Sequence, residues 1–324
     1  MGGLADVWLG SLLYRILFNK EGRTGLGFQP MRVDRGDSVT VVVGSSGELV
    51  RIDEFGTSLH QPVKPFPAPV TGGAVLNDIW VGTWVEHELQ QARMAALPLT
   101  GEWVSGGGRE MLRQRAESAD LMPSSSIWSR FLDAEPMAVS RVGGGLFFAT
   151  LHRGIYKIDE EATEVWRAPY PEWPELSGLG SRDYLVSSNE VDGQIVLWSV
   201  AGGVIVLDSK DGGHVLSTVI SLPDSLSGVR HDDNGGWLLL LNSGRIVLLD
   251  DFESEPVVIR TPGPVSDAVY DGKCWRWTGW RHDGTFCDGE VRCASRKQIG
   301  VALVRDRVLT NDGTWEDYGL NHSD

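Results

Sequence analysis

"WLLLLNSGRIVLLD", Trp237 to Asp250, is an apolar run, a polar turn ending in glycine, and a second apolar run closed by aspartate. Runs rich in Leu, Ile and Val that are too short for helices read as β-strands. A tight turn ending in glycine between two of them reads as a hairpin, because the connection needs a positive φ. The same pattern recurs in "TVVVGSSGELVRID" (Thr40–Asp53), "LFFATLHRGIYKID" (Leu146–Asp159) and "QIVLWSVAGGVIVLD" (Gln194–Asp208). Gly47, Gly154, Gly203 and Gly244 are therefore the expected left-handed turn positions.

Other segments repeat as well. "DVWLGSLLYRIL" (Asp6–Leu17) is echoed by "DIWVGTWVEHEL" (Asp78–Leu89), with Asp, Trp, Gly and the final Leu in register. "RHDGTF" (Arg281–Phe286) and "TNDGTW" (Thr310–Trp315) are weaker copies. Turns at Gly203, Gly244 and Gly284 recur about every forty residues, the period of strand-built propeller blades. One blade cannot bury both of its faces, whereas blades stacked around an axis do. The 324 residues at roughly forty per blade give seven blades, with six to eight inside the arithmetic. The expected fold is all-β, a single β-propeller domain over residues 1–324. Strands near Gly300–Leu309 are expected to close the ring with strands near Val7–Leu17.

"VIVLDSKDGGHVLS" (Val204–Ser217) resembles a quinoprotein-type repeat, in which an apolar strand ends in Leu-Asp, a glycine turn follows and a new strand begins. The chain as a whole resembles the WD-repeat and quinoprotein-like propellers. That resemblance implies the architecture and no subfamily. Ser217 stands where the quinoprotein repeat carries Trp, no Trp-Asp dipeptide occurs, and Gly-His occurs once, at Gly213-His214.

Between residues 88 and 130 the strand pattern fades. "ELQQARMAAL" (Glu88–Leu97) places Leu89, Ala92 and Ala96 on one helical face until Pro98, and "GREMLRQRAESADLM" (Gly108–Met122) does so with Leu112, Ala116 and Ala119. A short helical insertion is expected here, projecting as a contact surface. The competing reading is a poorly patterned strand, since Thr83–Leu89 also alternates.

A formal net charge of −15 argues against nucleic acid and anionic membranes as partners, and for a protein with a basic surface. No basic segment precedes an apolar one at the start, Asp6 interrupts the first apolar run, and Asp6 also stands where a myristoylation signal needs Ser or Thr. No run approaches the length of a membrane span. The cytoplasm is the expected compartment.

The candidate chemistry is sparse. Cys274, His282, Cys287 and Cys293 form one cluster in sequence, open to three readings: plain packing, a disulfide, or a Cys3His zinc site. No C-x-x-C knuckle accompanies it. In "WRWTGW", Trp275 and Trp277 share one strand face and are expected between blades, as are Trp8 and Trp80; Trp280 ends the run. "NEVDG" (Asn189–Gly193) and "RHDDNGG" (Arg230–Gly236) offer the carboxylates and amides that calcium-dependent lactonase-type propellers use, though Asp, Asn and Gly are also ordinary turn residues. "TNDGTW" is similar to the Asp-box of sialidase-type propellers but lacks one residue between Asp312 and Gly313. Neither a nucleophile elbow nor a dinucleotide fingerprint occurs, and "VSGGGRE" (Val104–Glu110) lacks the lysine of a phosphate loop. The expected function is a non-catalytic protein-interaction platform without a cofactor. The alternative is a hydrolase, lactonase or small-ligand binder with a metal or substrate in the central channel.

Overall fold

The computed structural model describes residues 25–86, 90–106 and 122–320. They form seven antiparallel sheets whose strands follow one another in chain order. Blade 1 is β1 (Pro30–Arg35), β2 (Thr40–Gly44) and β3 (Leu49–Ile52). Blade 2 is β4 (Val70–Val75), β5 (Ile79–Glu86), β6 (Gln91–Pro98) and β7 (Trp128–Leu132). Blade 3 is β8 (Pro136–Val142), β9 (Gly145–Thr150), β10 (Gly154–Ile158) and β11 (Glu164–Pro169). Blade 4 is β12 (Leu185–Val191), β13 (Gln194–Ser199), β14 (Gly203–Asp208) and β15 (His214–Val219). Blade 5 is β16 (Leu226–Asp232), β17 (Gly236–Leu241), β18 (Arg245–Leu249) and β19 (Val257–Arg260). Blade 6 is β20 (Val265–Tyr270), β21 (Trp275–Gly279), β22 (His282–Cys287) and β23 (Glu290–Ser295). Blade 7 is β24 (Gly300–Val304), β25 (Arg307–Thr310) and β26 (Trp315–Asp317).

The first strand of each blade packs against the first strand of the next all the way round, β24 meeting β1 to complete the circle. The fold is the expected seven-bladed propeller. Each of these inner strands breaks register near its start, between Val70 and Gly72 or Val265 and Asp267 for example. The extra residue of a bulge bends and twists a strand, and seven of them turn the strands around the axis. Beside the third strand of blade 7, Gly25 bridges Thr314 and the Leu26 N–H donates to the Gly313 carbonyl at 2.7 Å. The segments that meet there therefore come from the two ends of the described chain. The expected contribution of Val7–Leu17 lies outside the described residues, as does Asp6–Leu17 as a repeat unit.

The core lies between blades. Trp80 and Trp84 pack with Val41 and Val43 of blade 1, Trp198 with Trp237 of blade 5, and Trp275 and Trp277 with Leu238 and Leu240 of blade 5. Large flat side chains fill the wedge between twisted sheets, which is why tryptophan recurs on second strands. Within β21 the alternation sends Trp275 and Trp277 toward blade 5. Arg276 and Thr278 face blade 7, where a Cβ on Gly300 would sit 1.8 Å from the Thr278 hydroxyl.

Two expectations change. The segment read as a helix from Leu89, Ala92 and Ala96 is strand β6 over Gln91–Pro98, buried on both faces between its neighbours. Full burial removes the two-residue alternation, so the spacing of alanines mimicked a helix. The second expected helix, Gly108–Met122, lies outside the described residues except for its last position. The turn glycines also divide. Gly47 and Gly244 have φ of 88° and 76°, as expected, but the left-handed residues before Gly154 and Gly203 are His152 (φ 53°) and Gly202 (φ 93°). Gly203 is needed for room instead, because a Cβ there would lie 2.5 Å from the Trp173 ring.

Candidate docking face and the axis

Because neighbouring strands are antiparallel, the first and third turns of every blade emerge at one end of the disc. Contacts between blades agree. Arg141 at the end of β8 reaches Asp37 (2.9 Å) and Asn77 (3.1 Å) in the first turns of blades 1 and 2. Arg305 in the first turn of blade 7 pairs with Glu54 in the third turn of blade 1.

That end is acidic. Asp37, Asp78, Asp192, Asp233, Asp271 and Asp306 occupy six of the seven first turns. The seventh is Gly143-Gly144, whose Gly143 N–H is met at 2.8 Å by the carboxylate of Glu190 from blade 4. The third turns add Asp53-Glu54, Asp159-Glu160-Glu161 and, between β18 and β19, Asp250, Asp251, Glu253 and Glu255. Lys210, Lys273 and Arg305 are the bases among the described residues of these turns. The opposite end is less acidic and mixes signs, with Arg153, Arg182, Arg281 and Lys297 among Glu48, Asp133, Glu135, Glu172, Glu175, Asp183, Asp224 and Asp312.

Many of these aspartates shape the turns that carry them. Asp251 accepts the backbone N–H groups of Glu253 (2.8 Å) and Ser254 (2.7 Å), and the Ser254 hydroxyl holds its carboxyl below the usual range. Asp208 and Asp232 receive the N–H two residues on in the same way. The acidic end is thus built into the turn chemistry. Asp312 of "TNDGTW" caps the Thr314 N–H at 3.2 Å while Thr310 and Thr314 donate their hydroxyls, which makes that motif a turn-stabilising device.

At the axis, Asp267 of β20 is buried (2 % exposed) and joins three inner strands to its own. Arg35 of β1 donates to it at 3.2 Å, Arg230 of β16 at 3.0 Å, and the Leu303 N–H of β24 at 2.9 Å. Burial pushes the Asp267 carboxyl up, but Arg35 and Arg230 outweigh it and the net is below the usual carboxylate range. Arg35 and Arg230 keep about a third of their side-chain surface open. The carboxylate here is already engaged by its two arginines.

The sequence candidates separate as follows. Cys274 and Cys287 face each other across the β21–β22 hairpin, Cα to Cα 4.7 Å, and form a disulfide. Cys293 is a free, exposed thiol opposite Gly284, and His282 sits at the far end of the same sheet, its Nδ1 3.1 Å from the Trp280 carbonyl. The four do not converge, because eight-, five- and six-residue steps scatter them along three strands. Among the described residues no three His, Cys, Asp or Glu side chains gather as a metal set. Alkylation without reductant is expected to label one thiol of three, rising to three after reduction; three labels at the outset would mean that the disulfide is absent.

Asn189–Gly193 and Arg230–Gly236 do come together on adjacent blades. Burial lowers the His231 pKa, and Asp233, Asp232 and Asp192 oppose that shift. Trp280 stands exposed on the mixed end (55 %). A feature the sequence did not announce is a pocket of about 580 Å³ at the same end, lined by His152, Tyr170, Trp173, Leu176 and Asp183. It is framed by the 3-10 segment Pro174–Arg182. The Leu185 N–H donates to the Tyr170 hydroxyl at 2.8 Å, and burial pushes that phenol up to about 12.

No protein-family model matches the chain, and no curated protein matches it. Solved structures do. BamB from Moraxella catarrhalis aligns with a TM-score of 0.53 at 13 % identity, over 88 % of this chain and 84 % of its own. The Cps50 (Swd1) β-propeller domain of Myceliophteria thermophila aligns at 0.59 and 10 % identity, over 87 % and 92 %. Chaetomium thermophilum Raptor aligns at 0.60 and 11 % identity, over 90 % of this chain and 28 % of its own. At such identities the likeness is one of fold, the β-propeller.

Proposed function

We propose that the protein is a non-catalytic platform whose acidic end docks a protein partner with a basic surface. The observation that carries this reading is the segregation of charge: carboxylates crowd one end of the disc while the other end is mixed. Such a field steers a cationic partner and fixes its orientation. Nucleic acid and anionic membranes are disfavoured as partners by the same field. Among the described residues no helix is long and apolar enough to cross a membrane.

The test starts from native mass spectrometry of the protein isolated gently from its own cells, to obtain a stoichiometric partner. Binding is then compared with a variant carrying Asp78→Asn, Glu161→Gln, Glu253→Gln and Glu255→Gln, exposed positions on the acidic end. Affinity is expected to fall by roughly tenfold or more, and the salt dependence to flatten. A partner held equally well, with unchanged salt dependence, sinks the proposal. Compartment is decided on the same material. Disulfides persist in oxidising compartments and are opened in a reducing cytoplasm, so a reduced Cys274–Cys287 pair supports the cytoplasm and an oxidised pair opposes it.

A second reading, a small-ligand binder, has the Tyr170–Trp173 pocket in its favour. That pocket lies off the axis, between blades 3 and 4. A small-molecule mass retained by the native protein and lost on Trp173→Ala would favour it.

A further inference from the structure

The pocket between blades 3 and 4 has walls of anchored aromatic rings. Trp173 is buried, its indole N–H donates to the Val204 carbonyl at 3.1 Å, and a Cβ on Gly203 would meet three of its ring atoms at 2.5, 2.6 and 2.8 Å. Strand β14 therefore lies under one face of the indole. Tyr170, half-buried and held at its hydroxyl by the Leu185 N–H, packs on the His152 ring with centroids 5.3 Å apart. Rings fixed before a ligand arrives lose little freedom when it binds.

The same walls carry negative charge. Glu172 and Asp183 line the pocket, and among the described residues no lysine or arginine lines it with them. Asp183 is fixed in place, one oxygen accepting the Ala201 N–H at 3.1 Å. Burial pushes the Tyr170 phenol up and the Asp183 charge adds to it, so carboxylate and hydroxyl are neighbours. Neither carboxylate is in an ion pair among the described residues. Arg182, the base next to Asp183 in the chain, donates instead to the Leu179 carbonyl at 3.3 Å. An aromatic face is itself negative, so rings and carboxylates attract the same kind of group. The volume of about 580 Å³ is in the range of small-molecule sites, roughly 300–1,000 Å³.

We propose, resting on the second reading above that this pocket takes a small ligand, that the ligand is an organic cation: an ammonium group with carbon substituents, its charge met by Asp183 and Glu172 and its substituents packed on the Tyr170–Trp173 wall. The cation–π contact and the carboxylates supply what an uncharged ligand of the same shape lacks. The pocket is at the opposite end of the disc from the acidic docking face, so the two sites are independent.

The test is an NMR titration of the full chain, at constant ionic strength, with choline and separately with 3,3-dimethylbutan-1-ol, its uncharged isostere, followed at the Trp173 indole N–H. One saturable site for choline is expected, about tenfold tighter than for the alcohol. Asp183→Asn keeps an acceptor for the Ala201 N–H and removes the charge. It is expected to weaken choline by about tenfold and to leave the alcohol unchanged. Glu172→Gln, at an exposed position, is expected to weaken choline in the same sense. Equal binding of the two probes, or choline binding unchanged in both variants, overturns the organic cation and leaves the pocket a small-ligand site. Binding of neither probe also overturns it; the small-ligand reading then falls only if the native protein retains no mass that Trp173→Ala removes.

Discussion

Asp283→Ala is expected to lower the stability of the folded protein by about 3–5 kcal/mol, the cost of breaking a fully buried ion pair by removing one partner. Both groups are almost wholly enclosed, with side-chain exposures of 2 % for Asp283 and 4 % for Arg296. Asp283 accepts from Arg296 Nε at 3.1 Å, from the Thr278 hydroxyl at 2.7 Å and from the Gly319 N–H at 2.9 Å. Arg296 in turn holds Glu316 and, at 2.9 Å, the Asp317 carbonyl. Removing the carboxylate therefore strands three donors and loosens the segment after β26 from blade 6. Urea unfolding reads the loss, and limited proteolysis should show earlier cleavage near Gly319. A change below about 1 kcal/mol, the range of exposed pairs, would mean that Glu316 and Asp317 suffice to hold the arginine.

Asp267→Ala has the second-largest expected effect, about 3 kcal/mol, at the lower edge of the buried-pair range. The carboxylate is as enclosed as Asp283, but its two arginines are each about one-third open, so their charges are partly solvated once it is gone. The unpaired Leu303 N–H remains as the larger penalty. The pH dependence has a definite sign. A carboxyl whose folded pKa is below its unfolded value contributes stability that is present above the unfolded pKa and lost as pH falls through the folded one. For Asp267 the loss is therefore confined to below about pH 4. Wild type and Asp267→Ala should differ most at neutral pH and converge in acid. A gap that stays constant down to about pH 2 would contradict the ion-pair account.

Much of the architecture was legible because its repeating unit is local. In Trp237–Asp250 the turn falls at Asn242–Gly244 and the flanking runs pair as β17 and β18. The acidic end was half visible too: Asp53, Asp159, Asp208 and Asp250 close the third strands of four blades. Strand β6 was misread because alanines buried on both sides carry no two-residue rhythm and are good helix formers. The axis cluster left no trace, since Arg35 and Asp267 are 232 residues apart and meet only when the ring closes. The disulfide was one of three open readings. Opposition across a hairpin, which chooses among them, depends on a register that spacing alone does not fix.

The junction at Gly25 and Thr314 has a mechanical consequence. Among the described residues, the outer edge of blade 7 is joined to the start of the described chain by the Gly25–Thr314 bridge, the Leu26-to-Gly313 bond and the packing of Leu26 and Phe28 against Leu309 and Trp315. Tension applied between Gly25 and Leu320 would load that seam first. Only afterwards would the force meet β1 against β24 and the Arg35–Asp267 clasp behind it. Among the described residues, the ring is thus a closed circuit whose closure lies where Gly25 meets Thr314.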